Sequence, residues 1–257
     1  MTHPAYGVLR PVTGTASVLL CNNPNVMTLE GTNTWVLRGP GSDEMVVVDP
    51  GPDDDEHLAR LAELGTIPLV LISHKHEDHT GGIDKIVDLT GAVVRSVGSG
   101  FLRGLGGPLT DGEVIDAAGL RITVMATPGH TADSLSFLVD DAVLTADTVL
   151  GRGTTVIDDE DGSLSQYLDS LRRLQGLGRR RVLPGHGPEL DDLAAVSAMY
   201  LAHREERLEQ VRAALRTLGE DATARQVVEH VYTDVDEKLW DAAEKSVRAQ
   251  LDYLRAR

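Results

Sequence analysis

Residues 73–82 of the chain read SHKHEDHTGG, and the apolar run IPLVLI at residues 67–72 comes directly before them. The run has the length and the β-branched content of a buried strand. Three histidines and two acids then fall between His74 and His79. A solvated histidine-rich loop and a metal site both agree with this stretch alone, so the rest of the sequence has to separate the two explanations.

Three further residues of metal-ligand type occur in the same context, each shortly after a strand-like run. They are His130 after LRITVMAT, Asp147 after AVLTA and His186 after RRVL. Strand-end loops gather at one edge of a sheet, where a rigid scaffold can hold a site. Imidazole and carboxylate are good ligands for zinc and related divalent metals. The recurrence therefore favours a metal site, with enough ligands for two neighbouring ions.

The apolar runs predict strands up to about residue 185, because they are rich in Val, Ile, Thr and Leu and are bounded by turn residues. Helical patterns lie among them at residues 53–65, 81–92 and 163–178. Several strands follow one another with no helix between. This mixture predicts an α/β chain in which two mixed sheets are covered by helices on the outside.

The chain changes character after residue 190, where the strand patterns stop. Helical patterns then cover residues 191–218, 223–232 and 236–257. We therefore predict two parts: a metal-binding catalytic domain, residues 1–190, and a C-terminal helical segment, residues 191–257.

Charge and composition restrict the partners. The formal net charge is −16, whereas tight nonspecific binding to nucleic acid needs a basic footprint, so we expect no duplex DNA partner. The arginines of the first C-terminal helix alternate with glutamates, which predicts a solvated, salt-bridged face; they are Arg204, Arg207, Arg212 and Arg216. One cysteine and no run of membrane-spanning length favour a cytoplasmic protein with no membrane partner.

The ligand-type residues resemble the signature of the metallo-β-lactamase fold superfamily. Its His-x-His-x-Asp-His motif is matched by His74, His76, Asp78 and His79, and its later His, Asp and His by His130, Asp147 and His186. The resemblance covers roughly residues 15–190. It implies an αββα sandwich of two mixed sheets with outer helices.

The resemblance also implies two divalent metal ions, with zinc first and manganese or iron as alternatives. One ion would take His74, His76 and His130, the other Asp78, His79 and His186, and Asp147 would bridge them. A hydroxide that bridges two such ions is a nucleophile for hydrolysis near neutral pH. Asp78 can accept a hydrogen bond from this hydroxide and orient it.

Two more residues are candidates for supporting roles. Asp49, in VVVDPG, matches the superfamily's strand-end aspartate that supports the metal ligands, and an Asp-Pro-Gly turn is the alternative explanation. Asn33, in GTNT, is a candidate substrate contact at the mouth of the site, and a turn asparagine is its alternative.

The substrate is less constrained than the metal site. The stretch LEGTNTWVLRG (29–39) and the helical tail resemble the β-lactamase-like protein 2 group, which includes a metal-dependent endoribonuclease that acts on single-stranded RNA. This resemblance implies a single-stranded RNA phosphodiester as substrate and a winged-helix-like C-terminal segment, although the tail reaches Arg257 before any clear β wing.

A glyoxalase II-like thioesterase or a lactonase would use the same ligands, so a small-molecule thioester or ester stays open as the substrate. A non-enzymatic interaction module is disfavoured, because such a protein would be expected to lose ligands and this chain keeps all seven. The sequence leaves the oligomeric state open.

Overall fold

A computed structural model describes residues 5–140, 142–158, 160–233, 236–237 and 240–256 of the chain. The first half of the chain forms a mixed sheet of six strands in chain order. Its strands are β1 (Arg10–Pro11), β2 (Ala16–Leu20), β3 (Asn33–Leu37), β4 (Glu44–Val48), β5 (Thr66–Leu71) and β6 (Val93–Arg95). Neighbours from β1 to β4 pair antiparallel, and neighbours from β4 to β6 pair parallel.

The following part of the chain forms a mixed sheet of five strands. They are β7 (Val114–Ala117), β8 (Leu120–Ala126), β9 (Leu135–Val139), β10 (Ala142–Ala146) and β11 (Arg181–Pro184), in the spatial order β11-β10-β9-β8-β7. Only the β10–β11 pair is parallel among the described pairings of this sheet. The last strand therefore returns beside β10 after a crossover, which brings its carboxyl end next to that of β10.

The two sheets pack face to face. Trp35 and Leu71 of the first sheet lie in one buried apolar cluster with Ile122 and Phe137 of the second. The neighbour of Leu71 in β5, Val70, belongs instead to the cluster on the outer face of the first sheet. Because β5 is buried on both faces, its sequence is a continuous apolar run rather than an alternating one.

Helices cover the outer faces of both sheets. The α-helices of the described residues are α1 (Asp55–Ala62), α2 (Glu77–Thr80), α3 (Ile83–Thr90), α4 (Leu164–Gly176), α5 (Leu193–Leu218), α6 (Ala224–Val231) and α7 (Trp240–Arg255). The first sheet is covered by α1 and α3, and the second by α4 and the first half of α5. The predicted α/β fold of two mixed sheets with outer helices is confirmed. The one-turn helix α2 lies where the sequence suggested an irregular loop.

The C-terminal helices form a core of their own. Val211 of α5, Val227 of α6 and Val247 of α7 are fully buried in one cluster, while the first half of α5 packs against α4. Since α5 takes part in both clusters, the division of the chain at residues 190 and 191 stays a prediction. No helix in the described ranges is long and apolar enough to cross a membrane.

The prediction of a solvated arginine face on α5 holds for Arg212 and is wrong for Arg204. Arg212 pairs with the carboxylates of Glu205 and Glu209 at the surface. Arg204 is only 3% exposed, its Nη2 donates to the backbone oxygen of Thr155, and its guanidinium lies 5.1 Å from the centre of the Tyr167 ring. The first half of α5 turns this side chain inward, towards α4.

Gly129, next to His130, tests how tightly α4 packs on the site. Its φ of +137° lies in the region that favours glycine, and a methyl group there would overlap the backbone of Tyr167 in α4. We expect Gly129→Ala to lower the free energy of unfolding by about 2–3 kcal/mol, measured by urea unfolding of the metal-loaded protein. The control is Gly176→Ala at the exposed end of α4, where an added methyl group meets nothing within 4 Å. Equal unfolding midpoints for the two variants would contradict this packing.

Candidate metal centre

The residues of ligand type come together at the ends of four strands. The loop after β5 and the short helix α2 carry four of them, and the loops after β8, β10 and β11 carry one each. We call this set the seven-residue cluster: His74, His76, Asp78, His79, His130, Asp147 and His186. Their ligand atoms form three overlapping groups, and within each group all atoms lie within 4.8 Å of one another.

One half of the cluster consists of three imidazoles. His76 Nδ1 lies 3.1 Å from His74 Nε2 and 3.0 Å from His130 Nε2. His74 and His130 are buried, and His76 is partly exposed. Three ring nitrogens that converge in this way have lone pairs facing a common point, which is the donor arrangement of a bound cation.

The other half combines imidazoles with carboxylates. His186 Nε2 lies 3.1 Å from Asp78 Oδ2 and 3.3 Å from His79 Nε2. Asp147 lies between the halves, with Oδ2 3.3 Å from His186 Nε2 and 3.8 Å from His130 Nε2. Asp147 Oδ1 is buried without a hydrogen-bond partner. A buried carboxylate oxygen with no donor fits a site that takes a metal ion, since an unpartnered charge is otherwise costly.

The electrostatics of the cluster favour positive charge beside its carboxylates. Burial lowers the pKa of His79, but the carboxylates of Asp78 and Asp147 raise it to about 9. Burial likewise opposes the positive form of His186, but the same carboxylates raise its pKa well above the usual value. Protons on these two imidazoles therefore offset the negative charge of the carboxylates. A divalent cation that binds here displaces those protons, so its affinity falls as the pH is lowered.

Hydrogen bonds on the outer ring nitrogens orient the buried histidines. His130 Nδ1 donates to Val156 O at 2.6 Å, and His186 Nδ1 donates to Gly31 O at 3.1 Å. Each of these bonds fixes the proton on Nδ1 and leaves Nε2 directed at the cluster.

Asp49 orients two more histidines of the cluster from beneath it. Its Oδ1 accepts from the backbone N–H of Ser73 at 2.8 Å, and its Oδ2 accepts from Ser73 Oγ at 2.6 Å and from His79 Nδ1 at 2.9 Å. Because Ser73 Oγ gives its proton to Asp49, it accepts from His74 Nδ1, which lies 2.9 Å away. One buried carboxylate thus holds His79 directly and His74 through Ser73, and its role as a support for metal ligands stays a prediction.

Asn33 lies beside the cluster rather than within it. Its Nδ2 donates to Pro184 O at 3.0 Å and to Gly187 O at 2.8 Å, and its side chain is buried. These bonds brace the loop that carries His186. A direct contact between Asn33 and substrate stays a prediction.

Two residues beside the cluster were not predicted from the sequence. Lys75 Nζ lies 3.0 Å from Asp158 and 3.1 Å from Asp161, which ties the His74–His79 stretch to an acidic loop far along the chain. Gly185 leaves room for the cluster, because a side chain there would overlap Asp147 and His79. The acidic run IDDEDG and the glycines of LPGHGP are both visible in the sequence, but neither stretch indicates which distant residues it contacts.

A cleft of about 210 Å³ opens onto the cluster. Its walls are largely apolar and include Val26, Met27, Leu29, Leu150 and Val156. Val26 and Met27 are well exposed, so the cleft has a hydrophobic rim.

Histidines and aspartates that converge at the strand-end loops of two packed sheets define the chain as a metal-dependent hydrolase. More specifically, the chain belongs to the metallo-β-lactamase superfamily, because the sequence model of that superfamily matches residues 27–186. A second model, the β-lactamase associated winged helix domain, matches residues 223–257, which agrees with the predicted winged-helix-like segment. Members of this superfamily typically bind two metal ions.

Individual relatives cover most of the chain. A β-lactamase-like protein 2 homologue of Drosophila melanogaster is 30% identical over 96% of this chain and 89% of its own length. An atrochrysone carboxyl ACP thioesterase of Aspergillus fumigatus is 32% identical over 83% of this chain and 72% of its own. The crystal structure of a β-lactamase domain protein from Burkholderia ambifaria superposes with a TM-score of 0.82 at 21% identity, over 99% of this chain and 90% of that one, which shows a shared fold.

Asp49 provides a test of the site that leaves all seven ligand-type residues in place. Asp49→Asn retains the side-chain shape and a residue type that tolerates the observed φ of +55°, but it replaces one acceptor oxygen with an NH₂ group. We expect zinc affinity to fall about 10- to 100-fold, because His79 or Ser73 loses its acceptor. Chelator competition measures the affinity, and elemental analysis of the parent should approach two equivalents. The control is Asp88→Asn on the exposed face of α3. Equal zinc affinities in the two variants would contradict the role of Asp49.

Proposed function

We propose that the chain hydrolyses an acyl thioester or ester at two zinc ions held by the seven-residue cluster. The observation that carries this proposal is the apolar cleft over the cluster. An apolar wall suits an acyl group, whereas a polyanionic substrate needs free cations. Arg152, which lines the cleft, pairs with Glu30 at 2.6 Å, and Lys75 is held among acidic side chains.

The donor set supports two ions and the choice of zinc. In this proposal one ion is held by the imidazoles of His74, His76 and His130, and the other by Asp78, His79 and His186, with Asp147 shared. Nitrogen and oxygen donors of this kind suit zinc, with manganese and iron as alternatives. Bound divalent cations would acidify water and polarise the substrate carbonyl.

Asp78 is the residue of this chain that we assign to the attacking water. Its side chain is 28% exposed, against 12% for that of Asp147, so Asp78 is the carboxylate that is more open to the cleft. There it accepts a hydrogen bond from the water and directs a lone pair towards the carbonyl carbon. Leu29, Leu150 and Val156 hold the acyl group and exclude bulk water.

The named relatives support this proposal in part. The Aspergillus relative described above is named as a thioesterase and matches most of this chain. Cleavage of single-stranded RNA is the second candidate. It is favoured by the match to a β-lactamase-like protein 2 homologue over nearly the whole chain and by the winged-helix match at residues 223–257.

Against RNA as substrate, several arginines of the C-terminal helices are engaged by acids. Arg212 pairs with Glu209, Arg225 with Glu229, and Arg248 with Glu244. Paired surface arginines offer little net attraction to phosphates. We therefore place the thioester proposal first. The cytoplasmic location remains a prediction from the sequence.

A panel of substrates separates the two candidates. The metal-loaded protein is assayed with octanoyl-N-acetylcysteamine, S-lactoylglutathione, an acyl-homoserine lactone, a phosphodiester reporter and a single-stranded oligoribonucleotide. We expect turnover of an acyl thioester or ester and no cleavage of the oligoribonucleotide, because the cleft is apolar and its neighbouring cations are paired. Cleavage of the oligoribonucleotide without turnover of any acyl substrate would overturn the proposal in favour of the second candidate.

The role of Asp78 is tested by comparing turnover with metal content. Asp78→Asn removes the carboxylate charge but little volume, so we expect kcat to fall about 100-fold or more through lost orientation of the water, while metal stays bound at the three-imidazole half. Asp147→Asn should instead weaken binding of both metals, because a shared carboxylate offsets repulsion between the cations. The control is Glu77→Gln, an exposed neighbour in α2. Parent-like turnover by Asp78→Asn with both metals bound would rule out this role.

A further inference from the structure

A second cavity, of about 260 Å³, adjoins the metal cleft. We call it the Val8 pocket. Its apolar lining is provided by Val8, Val18 and Leu20, and its other walls include Arg152 and Gly187. Arg152 also lines the metal cleft, so one side chain borders both spaces.

The chain connects the Val8 pocket to the metal centre at two points. Gly187, in its wall, directly follows the metal-ligand candidate His186. In the loop before β3, Leu29 lines the metal cleft, and the next residue, Glu30, lines the Val8 pocket. Leu29 has a φ of +58°, in the left-handed region that a branched side chain rarely adopts. Strained residues of this kind tend to cluster at sites that clamp a ligand.

The sizes of the two cavities indicate one ligand rather than two. Sites for small molecules usually measure about 300–1,000 Å³. The metal cleft, at about 210 Å³, and the Val8 pocket, at about 260 Å³, each fall short of that range, but jointly they reach it. A single substrate that extends across Arg152 would occupy both.

The charges around the Val8 pocket favour an uncharged occupant. Arg10 makes two hydrogen bonds to Glu189, at 2.8 and 2.9 Å, and Arg152 pairs with Glu30 at 2.6 Å. Both cations in the lining are thus neutralised by neighbours. Val8 itself is 54% exposed, so the pocket presents apolar surface to water that an apolar group would cover.

We propose that the Val8 pocket holds the distal end of the acyl chain of a medium-chain thioester or ester whose carbonyl lies at the seven-residue cluster. This inference rests on the proposed function and adds a specificity site to it. Acyl groups too short to pass Arg152 would use the metal cleft alone, so hydrolysis should become more efficient as the chain lengthens.

The test uses Val8→Phe, whose larger side chain would fill part of the pocket from its exposed wall. For the metal-loaded full-length parent, we expect kcat/KM to be higher for octanoyl- than for acetyl-N-acetylcysteamine. In Val8→Phe the ratio of these two values should fall about tenfold or more, because the ring displaces several methylenes that each contribute about fourfold. Val8→Asp, which places a charge on the apolar wall, should lower the same ratio. The matched control is Val114→Phe, a similarly exposed valine in β7, which should retain the parent ratio.

The outcomes distinguish the pocket from the chemistry. If the parent hydrolyses these thioesters but Val8→Phe and Val8→Asp keep its chain-length preference, the proposed role of the Val8 pocket is overturned and the proposed function stands. If the parent hydrolyses no thioester or ester, the proposed function is wrong. Calorimetric titration with octanoate then tests whether the Val8 pocket binds an apolar chain. Saturable binding that is weaker in Val8→Phe than in Val114→Phe supports it. Absent binding, or equal affinity in the two variants, overturns it.

Discussion

Lone pairs and negative charges that converge in a buried space must be compensated by positive charge, and this requirement explains much of the structure around the cluster. His76 Nδ1 lies about 3 Å from the inward ring nitrogens of both His74 and His130, and Asp147 has a buried oxygen with no donor. The carboxylates of Asp78 and Asp147 accordingly raise the pKa values of His79 and His186 above the ordinary value for histidine. The shell of outer hydrogen bonds and the bare backbone at Gly185 follow from the same need, since they aim the donors inward and keep the centre clear.

The two-sheet scaffold meets this requirement by ending several strands at one place and bending the chain sharply there. Asp49, after β4, and Ala146, at the end of β10, both have positive φ values, of 55° and 45°. The pairing of β10 with β11 is also irregular between Leu144 and Ala146. An irregularity of this kind re-aims the next side chain, here Asp147, into the cluster. Part of the backbone strain thus lies beside the cluster, whereas Ala118 and Asp140 have positive φ values in the turns that join β7 to β8 and β9 to β10.

The sequence predicted the parts of the site that depend on local pattern. Apolar runs marked the strands, and a ligand-type residue after each of four runs was enough to predict that they converge. Contacts between distant segments carried no such signal. Spacing on α5 made Arg204 look like a surface residue, because a helical repeat does not show which face meets α4. The Val8 pocket joins residues from the start of the chain to Arg152 and Gly187, and no periodicity links those positions.

The helical layer shapes the cleft without entering it. Tyr167 of α4 donates its hydroxyl to Thr148 O at 2.7 Å, and Tyr200 of α5 accepts from the backbone N–H of Leu150 at 3.1 Å. Arg204 holds Thr155 O from the same side. These bonds hold in place the segment from Thr148 to Thr155, which lines one side of the metal cleft. Since relatives across the superfamily share the metal chemistry, selectivity has to come from such walls. The packing of α5 on this segment therefore places the start of the C-terminal helical region behind one wall of the metal cleft.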